Sequence, residues 1–131
     1  GKVKAGSESD VLSGFQDFLP TAAELAGVQV PEYLDGISLA PTLMGNPDKQ
    51  VKHDYLYWEF SENGGIRGVT DGEWKGIFLN ILSSKNAAPT FELYHLKADP
   101  GELTNLADKH PDISEQFIKL IEHSHSEPPD F

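Results

Sequence analysis

The residues best suited to contact a ligand are grouped in the stretch FSENGGIRG, residues 60–68. Glu62, Asn63 and Arg67 supply a carboxylate, an amide and the only guanidinium in the sequence, and two adjacent glycines free the backbone between them. Polar groups on such a loop are suited to binding a sugar or a sulfate group. The plainer alternative is an ordinary polar loop in which Arg67 pairs with an acidic neighbour.

The five histidines carry no recognisable catalytic or metal-binding motif. His123 and His125 form an H-x-H pair, which can bind metals weakly, but without further ligands we interpret the pair as a frayed helix end. The remaining three are interpreted as surface or hydrogen-bonded residues: His53, His95 and His110.

Three other residues have structural explanations. Lys75 follows a tryptophan in a strand pattern, where its long stem can cover apolar surface while the charge stays in water. Asp99 and Glu102 could imitate a calcium pair, but capping of the turn that follows explains both. The sequence therefore predicts no catalytic residue and no metal site.

The composition excludes several classes of protein. The chain has 131 residues with 38% hydrophobic and 24% charged residues, as expected for a globular domain. A net charge of −11 argues against nucleic-acid binding, which needs cationic side chains to neutralise phosphates. The absence of cysteine excludes disulfides and thiol chemistry in this chain. There is no apolar run of about 20 residues, so we expect no membrane span.

Two helical segments are predicted in the first 50 residues. Asp17 is placed to cap a helix whose apolar positions recur at helical spacing, and Gly27 is placed to end it. A second, shorter helix is predicted between a Ser38 cap and Gly45. The apolar positions of the first helix are Phe18, Leu19, Ala22, Leu25 and Ala26.

Strand patterns dominate the second part of the chain. YLYWEF at 55–60 is apolar on both faces, so both faces are expected to be covered. A hairpin with a two-residue Asp71-Gly72 turn follows, then a loop, SSKNAAP, at 83–89 and a strand, FELYHL, at 91–96. The last segment is predicted to form a helix with an apolar stripe at Ile113, Phe117, Leu120 and Ile121. The tail SEPPDF cannot continue this helix. The predicted fold is α+β: a four-stranded antiparallel sheet covered by a C-terminal helix, preceded by helical segments.

The stretch ADPGELTNLA, residues 98–107, joins the last strand to the last helix. Asp99 can cap the start of one helical turn, Pro100 suits its first position, and Glu102 lies close to its positive end. Leu103 and Leu106 would pin this turn to the core. We therefore expect a structural role for the stretch.

The order of these signals resembles the C-terminal region of the type I sulfatases, the arylsulfatase family. The resemblance rests on FQDFLPTAAELAGVQVP, DGISLAPTLMG, GVTDGEWKGIFLNI and ELYHLKADPGELTNLADKHP and covers roughly residues 2–130. His95 departs from the family pattern, which has aspartate there. The resemblance implies that residues 1–50 are the tail end of the sulfatase main α/β domain, and that residues 51–131 form the C-terminal subdomain.

The resemblance also implies what lies elsewhere. Sulfatases use a formylglycine made from Cys or Ser within Cys/Ser-x-Pro-x-Arg, and that motif is absent because Arg67 is preceded by Gly65 and Ile66. The family's calcium ligands and sulfate-binding lysine and histidine lie upstream of the matched region. We therefore expect an inactive fragment without a cofactor of its own, whose parent enzyme uses calcium and formylglycine.

The function implied is that of the C-terminal part of a bacterial sulfatase whose parent hydrolyses sulfate esters of a sulfated glycan or an aryl sulfate. This part would pack on the missing N-terminal catalytic domain and form one wall of the substrate pocket. By resemblance the parent is periplasmic or secreted, and the isolated fragment is expected to self-associate. The alternative is a stand-alone carbohydrate- or protein-binding module without catalysis.

Overall fold

The computed structural model describes residues 2–82 and 88–126. Most of the predicted loop at 83–89 and the tail after Ser126 lie outside these residues. The chain divides into two compact units, Gly1–Asp54 and Tyr55–Phe131. We call them the N-terminal unit and the C-terminal unit. The domain boundary expected from the resemblance, between residues 50 and 51, stays a prediction.

Two short helices organise the N-terminal unit. Helix α1 spans Phe18–Leu25 and follows a 3-10 turn at Phe15–Asp17, whereas α2 spans Ala40–Leu43 and precedes a 3-10 turn at Pro47–Lys49. Gly27 ends α1 as predicted. Its φ of 70° lets the N–H groups of Gly27 and Val28 donate to the carbonyls of Glu24 and Ala23, at 3.0 and 2.9 Å.

The interior of the N-terminal unit is mostly polar. Gln50 is buried, and its amide donates to the carbonyls of Ser38 and Val51 while its Oε1 accepts from the N–H and hydroxyl of Thr42. The apolar positions of α1 instead face outward: the exposed fractions are 71% for Phe18, 55% for Leu19 and 53% for Leu25.

The C-terminal unit has the predicted architecture. Its four strands form one antiparallel sheet in the order β1-β2-β3-β4, and helix α3, Pro111–Ser124, covers one face. No helix in the described part of the chain is long and apolar enough to cross a membrane. The strands are β1 Leu56–Phe60, β2 Ile66–Thr70, β3 Trp74–Leu79 and β4 Thr90–His95.

The hydrophobic core lies between α3 and the centre of the sheet. Val69, Leu93, Phe117 and Ile121 are almost completely buried there, and Ile113 and Leu120 pack against them, so the predicted stripe is confirmed. Gly76 permits this close packing, since a Cβ at that position would lie only 2.9 Å from the Cβ of Phe117. The register places Gly76 between Val69 and Leu93 in one row across the sheet.

The opposite face of the sheet is incompletely covered. The alternation of side chains assigns to it Trp58 and Phe60 of the edge strand β1, which are 37% and 54% exposed. The prediction that both faces of β1 are covered is therefore wrong for this chain, because helix α3 packs against only one face of the sheet. We call this surface the second sheet face; its apolar residues are Leu56, Trp58, Phe60, Ile66, Ile77 and Leu79.

The hairpin turn differs by one residue from the prediction. Asp71, Gly72 and Glu73 separate β2 from β3, instead of the two residues Asp71 and Gly72. The extra residue is accommodated because the Asp71 carboxylate accepts hydrogen bonds from the N–H groups of Glu73 and Trp74, at 2.8 and 2.7 Å.

The stretch ADPGELTNLA forms turns rather than the predicted helical turn. Glu102 adopts a left-handed φ of 53°, which interrupts a helix, and its carboxylate bonds to Lys75 at 2.7 Å. Asp99 still braces the segment, because its Oδ2 accepts from the N–H groups of Leu103 and Thr104, both at 2.8 Å. Leu103 does not reach the core and is 88% exposed. Leu106 is half-buried, and its N–H donates to Leu93.

Replacing Asp99 with alanine should lower the free energy of unfolding by about 1–2 kcal/mol, because two backbone N–H groups lose their acceptor. Leu103→Ala is the matched control and should change it by less than about 0.5 kcal/mol, since the side chain is exposed. Urea unfolding of both variants measures the difference. An equal cost for the two would refute the bracing role of Asp99.

Candidate functional site

The predicted ligand-binding loop is the connection between β1 and β2. Glu62 and Asn63 are exposed in it, and Asn63, Gly64 and Gly65 have successive left-handed φ values of 54°, 85° and 82°. The carbonyls of Gly64 and Gly65 accept from the N–H groups of Leu82 and Ile81, so the loop is fixed to the segment after β3. The glycines thus allow the sharp turn, as the sequence indicates, and two polar side chains are left in solvent.

Arg67 is placed differently from Glu62 and Asn63. Its side chain is 23% exposed, and its Nε lies 3.0 Å from Glu59 Oε1 while a terminal nitrogen lies 3.0 Å from His125 Nε2. His125 Nδ1 is in turn 2.9 Å from Glu59 Oε2. The plainer alternative for Arg67, pairing with an acid, is therefore observed. Whether Glu62, Asn63 and Arg67 contact a ligand stays a prediction.

These contacts define the tautomer of His125. A guanidinium can only donate, so His125 Nε2 accepts from Arg67, and the proton is on Nδ1, which donates to Glu59. The residue after α3 is thereby joined to β1 and β2, and the interpretation of His125 as part of a frayed helix end is wrong. The partners lie 58 and 66 positions away in sequence, beyond the reach of a local pattern.

Glu59 is the acceptor at the centre of this network. Burial alone would raise its pKa, but hydrogen bonds from Tyr57 and His125, together with the positive charge of Arg67 at 3.0 Å, lower the pKa to about 2. Burial and the Glu59 carboxylate raise the pKa of Tyr57, whose hydroxyl donates to Glu59 Oε2 at 2.6 Å. The carboxylate therefore stays ionised and holds three side chains in place.

A second buried carboxylate, Asp17, organises the N-terminal unit. Its Oδ2 accepts from the N–H of Gly14, and its Oδ1 accepts from the N–H of Ile37 and lies 2.8 Å from His53 Nε2. Its backbone carbonyl accepts from the hydroxyl of Thr21, at 2.6 Å. Asp17 is completely buried and its side chain makes no capping bond to α1, so the predicted capping role is wrong.

The electrostatics of Asp17 follow from these bonds. Burial raises its pKa, but the two backbone N–H donors and His53 outweigh burial and hold the pKa below the ordinary value. The hydrogen bonds of its side chain go to backbone N–H groups and to His53, so the carboxylate positions chain segments. Sequence reasoning missed this role, although the Asp-x-x-Pro-Thr pattern at 17–21 was part of the resemblance.

The other candidates have structural partners. Lys75 lies 2.7 and 2.9 Å from the two carboxylate oxygens of Glu102, rather than only extending along apolar surface. His95 and His110 pack against the Trp74 ring, with centroids 4.5 and 5.1 Å away. Within residues 2–82 and 88–126, no group of three or more histidine or acidic side chains could hold a metal ion.

Comparison with known proteins gives one family over nearly the whole chain. The family model described as N-sulphoglucosamine sulphohydrolase, C-terminal, matches residues 1–127. An N-acetylglucosamine-6-O-sulfatase of Bacteroides thetaiotaomicron is 29% identical, with 93% of this chain and 23% of the relative covered. A delta 4,5-hexuronate-2-O-sulfatase of the same organism is 39% identical, with 70% of this chain and 18% of the relative covered.

A solved structure supports the same relationship. The structure of a 2-O GAG sulfatase superposes with a TM-score of 0.63 at 33% sequence identity, covering 82% of this chain and 23% of that one. The chain thus spans about a quarter, or less, of the length of the relatives it matches.

Replacing Asp17 with asparagine should lower the free energy of unfolding by about 1–3 kcal/mol, because an amide presents one acceptor oxygen where two are needed and faces a buried N–H with its own donor. Asp10→Asn is the matched control, since Asp10 is exposed, and should cost less than about 0.5 kcal/mol. Thermal unfolding followed by circular dichroism tests both. Equal midpoints would contradict the assigned role.

The network around Glu59 should make the free energy of unfolding depend on pH in the acidic range. A pKa lowered from 4.5 to about 2 contributes stability that is present above pH 4.5 and is lost as the pH falls towards 2. Glu59→Gln should therefore destabilise the protein at pH 7, and the deficit should shrink at pH 3. The exposed Glu122→Gln is the control, and unfolding free energies at both pH values are the measurement. A deficit independent of pH would disprove the account.

Proposed function

Because the match extends over residues 1–127, the chain belongs to the N-sulphoglucosamine sulphohydrolase C-terminal family, and we propose that it is the C-terminal part of a sulfatase. We call the longer polypeptide the parent enzyme. The single observation that carries the proposal is the family match over nearly the whole chain. The structural similarity to the 2-O GAG sulfatase supports it.

The parent enzyme would hydrolyse sulfate esters of a sulfated glycan. Two relatives are named for sulfated sugars, one an N-acetylglucosamine-6-O-sulfate and the other a hexuronate-2-O-sulfate. Glycan sulfatases of this kind would act outside the cytoplasm, in the periplasm or as secreted enzymes, and we propose the same for the parent.

The chemistry of sulfate ester hydrolysis would be supplied upstream of this chain. It requires an activated nucleophile and cationic groups that stabilise charge on oxygen. This sequence has no cysteine and no Cys/Ser-x-Pro-x-Arg motif, and its described acidic and histidine side chains do not form a metal-binding group. We therefore propose that the formylglycine and the calcium site of the parent belong to its catalytic domain.

The role of this chain would be to pack on that domain and to complete one wall of the substrate pocket. The second sheet face exposes Trp58 and Phe60, an apolar surface suited to contact with another protein surface. The β1–β2 loop carries Glu62 and Asn63 in solvent on a fixed backbone, where they could hydrogen-bond a sugar. In isolation the chain would self-associate through its apolar surface.

The purified chain should show no sulfatase activity with or without calcium, whereas the parent enzyme should release sulfate from a sulfated glycosaminoglycan. The reason is that the nucleophile motif is absent from this sequence. Sulfate release and aryl sulfate turnover are measured for both proteins. Turnover that copurifies with the isolated chain, or an inactive parent enzyme, would overturn the proposal.

In the parent enzyme, Glu62→Gln and Asn63→Gly should reduce kcat/KM for a sulfated oligosaccharide by roughly tenfold, the loss expected for one or two hydrogen bonds, and should leave a small aryl sulfate unaffected. Asn63→Gly removes the side chain without straining the left-handed backbone. Glu122→Gln is the control. Arg67→Ala should lower stability, because its ion pair with Glu59 is lost. Equal losses on both substrates would argue against a pocket wall.

A further inference from the structure

We propose that His125 positions the β1–β2 loop in a pH-dependent way: the neutral imidazole fastens the end of helix α3 to the base of the loop, and protonation releases it. We call His125, Glu59 and Arg67 together the latch. Because this loop carries Glu62 and Asn63, His125 would act on a bound glycan through the loop and is a positioning residue. The inference rests on the proposed function only where it concerns the sulfated substrate.

The latch lies at the base of the loop. Glu59 is the last residue but one of β1, Arg67 is the second residue of β2, and the two are direct partners in the sheet register. The alternation of side chains places both on the face that α3 covers. Only Phe60 and Ile66 separate this pair from the loop at 61–65. The pair therefore controls the two strand ends from which the loop starts.

His125 contacts both members of this pair. Its Nδ1 lies 2.9 Å from Glu59 Oε2, and its Nε2 lies 3.0 Å from a terminal nitrogen of Arg67. The exposed fractions of the side chains are 18% for His125, 23% for Arg67 and 33% for Glu59, so water competes only partly for these bonds. One side chain after α3 thus connects the strand ends on both sides of the loop.

The contact with Arg67 requires a neutral imidazole. A guanidinium donates and cannot accept, so His125 Nε2 must offer its lone pair. A proton on Nε2 would place a donor and a second positive charge against Arg67, and this bond would be lost. Nδ1–H would still donate to Glu59. Protonation therefore separates the end of α3 from β2, while its bond to β1 is kept.

The neighbours of His125 on the sheet keep their charge near neutral pH. Hydrogen bonds and the charge of Arg67 outweigh burial and lower the pKa of Glu59 to about 2, whereas burial and Glu59 raise the pKa of Tyr57. Arginine stays protonated in proteins. Histidine is the side chain that ordinarily changes charge between about pH 5 and 8. On α3 itself, Glu122 and His123 are exposed.

The end of α3 has a second bond to the sheet that involves no histidine. Ser124 Oγ donates to the hydroxyl of Tyr55 at 3.0 Å, at the opposite end of β1 from the loop. A serine does not titrate, so this bond continues to hold the helix when His125 is protonated. The expected response to acid is therefore a local release of the loop and not unfolding of α3.

Hydrogen–deuterium exchange of the full-length parent enzyme tests the latch without any need for activity. After correction for the intrinsic effect of pH on exchange, residues 60–68 should exchange roughly fivefold faster at about pH 5.5 than at about pH 7.5, the loss expected for about one hydrogen bond. The hairpin turn at 71–73 is the control segment and should not change, because the Asp71 carboxylate holds it.

Substitutions assign the effect to His125. A glutamine amide carries an acceptor oxygen and a donor nitrogen on one carbon, as the imidazole carries Nε2 and Nδ1–H on Cε1, but it does not titrate. His125→Gln should therefore give slow exchange of residues 60–68 at both pH values, and His125→Ala fast exchange at both. The control variants Ser124→Ala and His123→Gln should retain the pH dependence of the unsubstituted enzyme.

Kinetics connect the latch with the proposed substrate. In the parent enzyme, the ratio of kcat/KM for a sulfated oligosaccharide to that for a small aryl sulfate should fall roughly three- to tenfold from about pH 7.5 to about pH 5.5. The ratio cancels the titration of catalytic groups, because these act on both substrates. In His125→Gln the ratio should be independent of pH.

The outcomes separate the latch from the proposed function. Exchange of residues 60–68 that is independent of pH, or equally dependent on pH in His125→Gln, would overturn the inference. A ratio of kcat/KM that ignores pH while the exchange responds would refute the positioning role. A pH-dependent loop in a parent that hydrolyses no sulfate ester would support the latch and refute the proposed function. An active parent in which neither exchange nor ratio responds would do the opposite.

Discussion

The chain carries more apolar surface than its own elements can bury, and this constraint determines much of its structure. One helix of 14 residues, α3, covers one face of a four-stranded sheet, so Trp58 and Phe60 on the second sheet face stay exposed. In the N-terminal unit, the helix α1 presents Phe18 and Leu25 to solvent. A sheet or an amphipathic helix is stable when its apolar side packs against another layer of structure. Such a layer would therefore stabilise both of these surfaces.

The two units are stabilised in different ways. The C-terminal unit has a packed core in which Phe117 approaches the sheet over Gly76, and the Glu59 carboxylate fastens the residue after α3 to β1 and β2. The N-terminal unit depends on buried hydrogen bonds of Asp17 and Gln50. Hydrogen bonds fix geometry well but add only about 1 kcal/mol each to stability.

Much of the fold could be predicted from local patterns. The strands are predicted by the alternation of side chains between the two faces and by β-branched or aromatic residues. Helix α3 is predicted by the spacing of Ile113, Phe117 and Ile121. The roles of Asp17 and Arg67 could not be predicted, because their partners, such as Ile37 and His125, lie 20 and 58 positions away. Leu103 was misplaced because a left-handed residue replaced the expected helical turn. Glu62 and Asn63 were located correctly in a loop, and their contact with a ligand stays a prediction.

We propose that this chain completes a sulfatase by packing on a separate catalytic domain. The most direct measurement is to produce the upstream part of the parent enzyme and this chain as two polypeptides in one cell, and to assay copurification together with sulfate release. The account predicts a one-to-one complex that hydrolyses a sulfated glycan, whereas the upstream part alone is unstable or far less active. A fully active upstream part that does not bind this chain would contradict it.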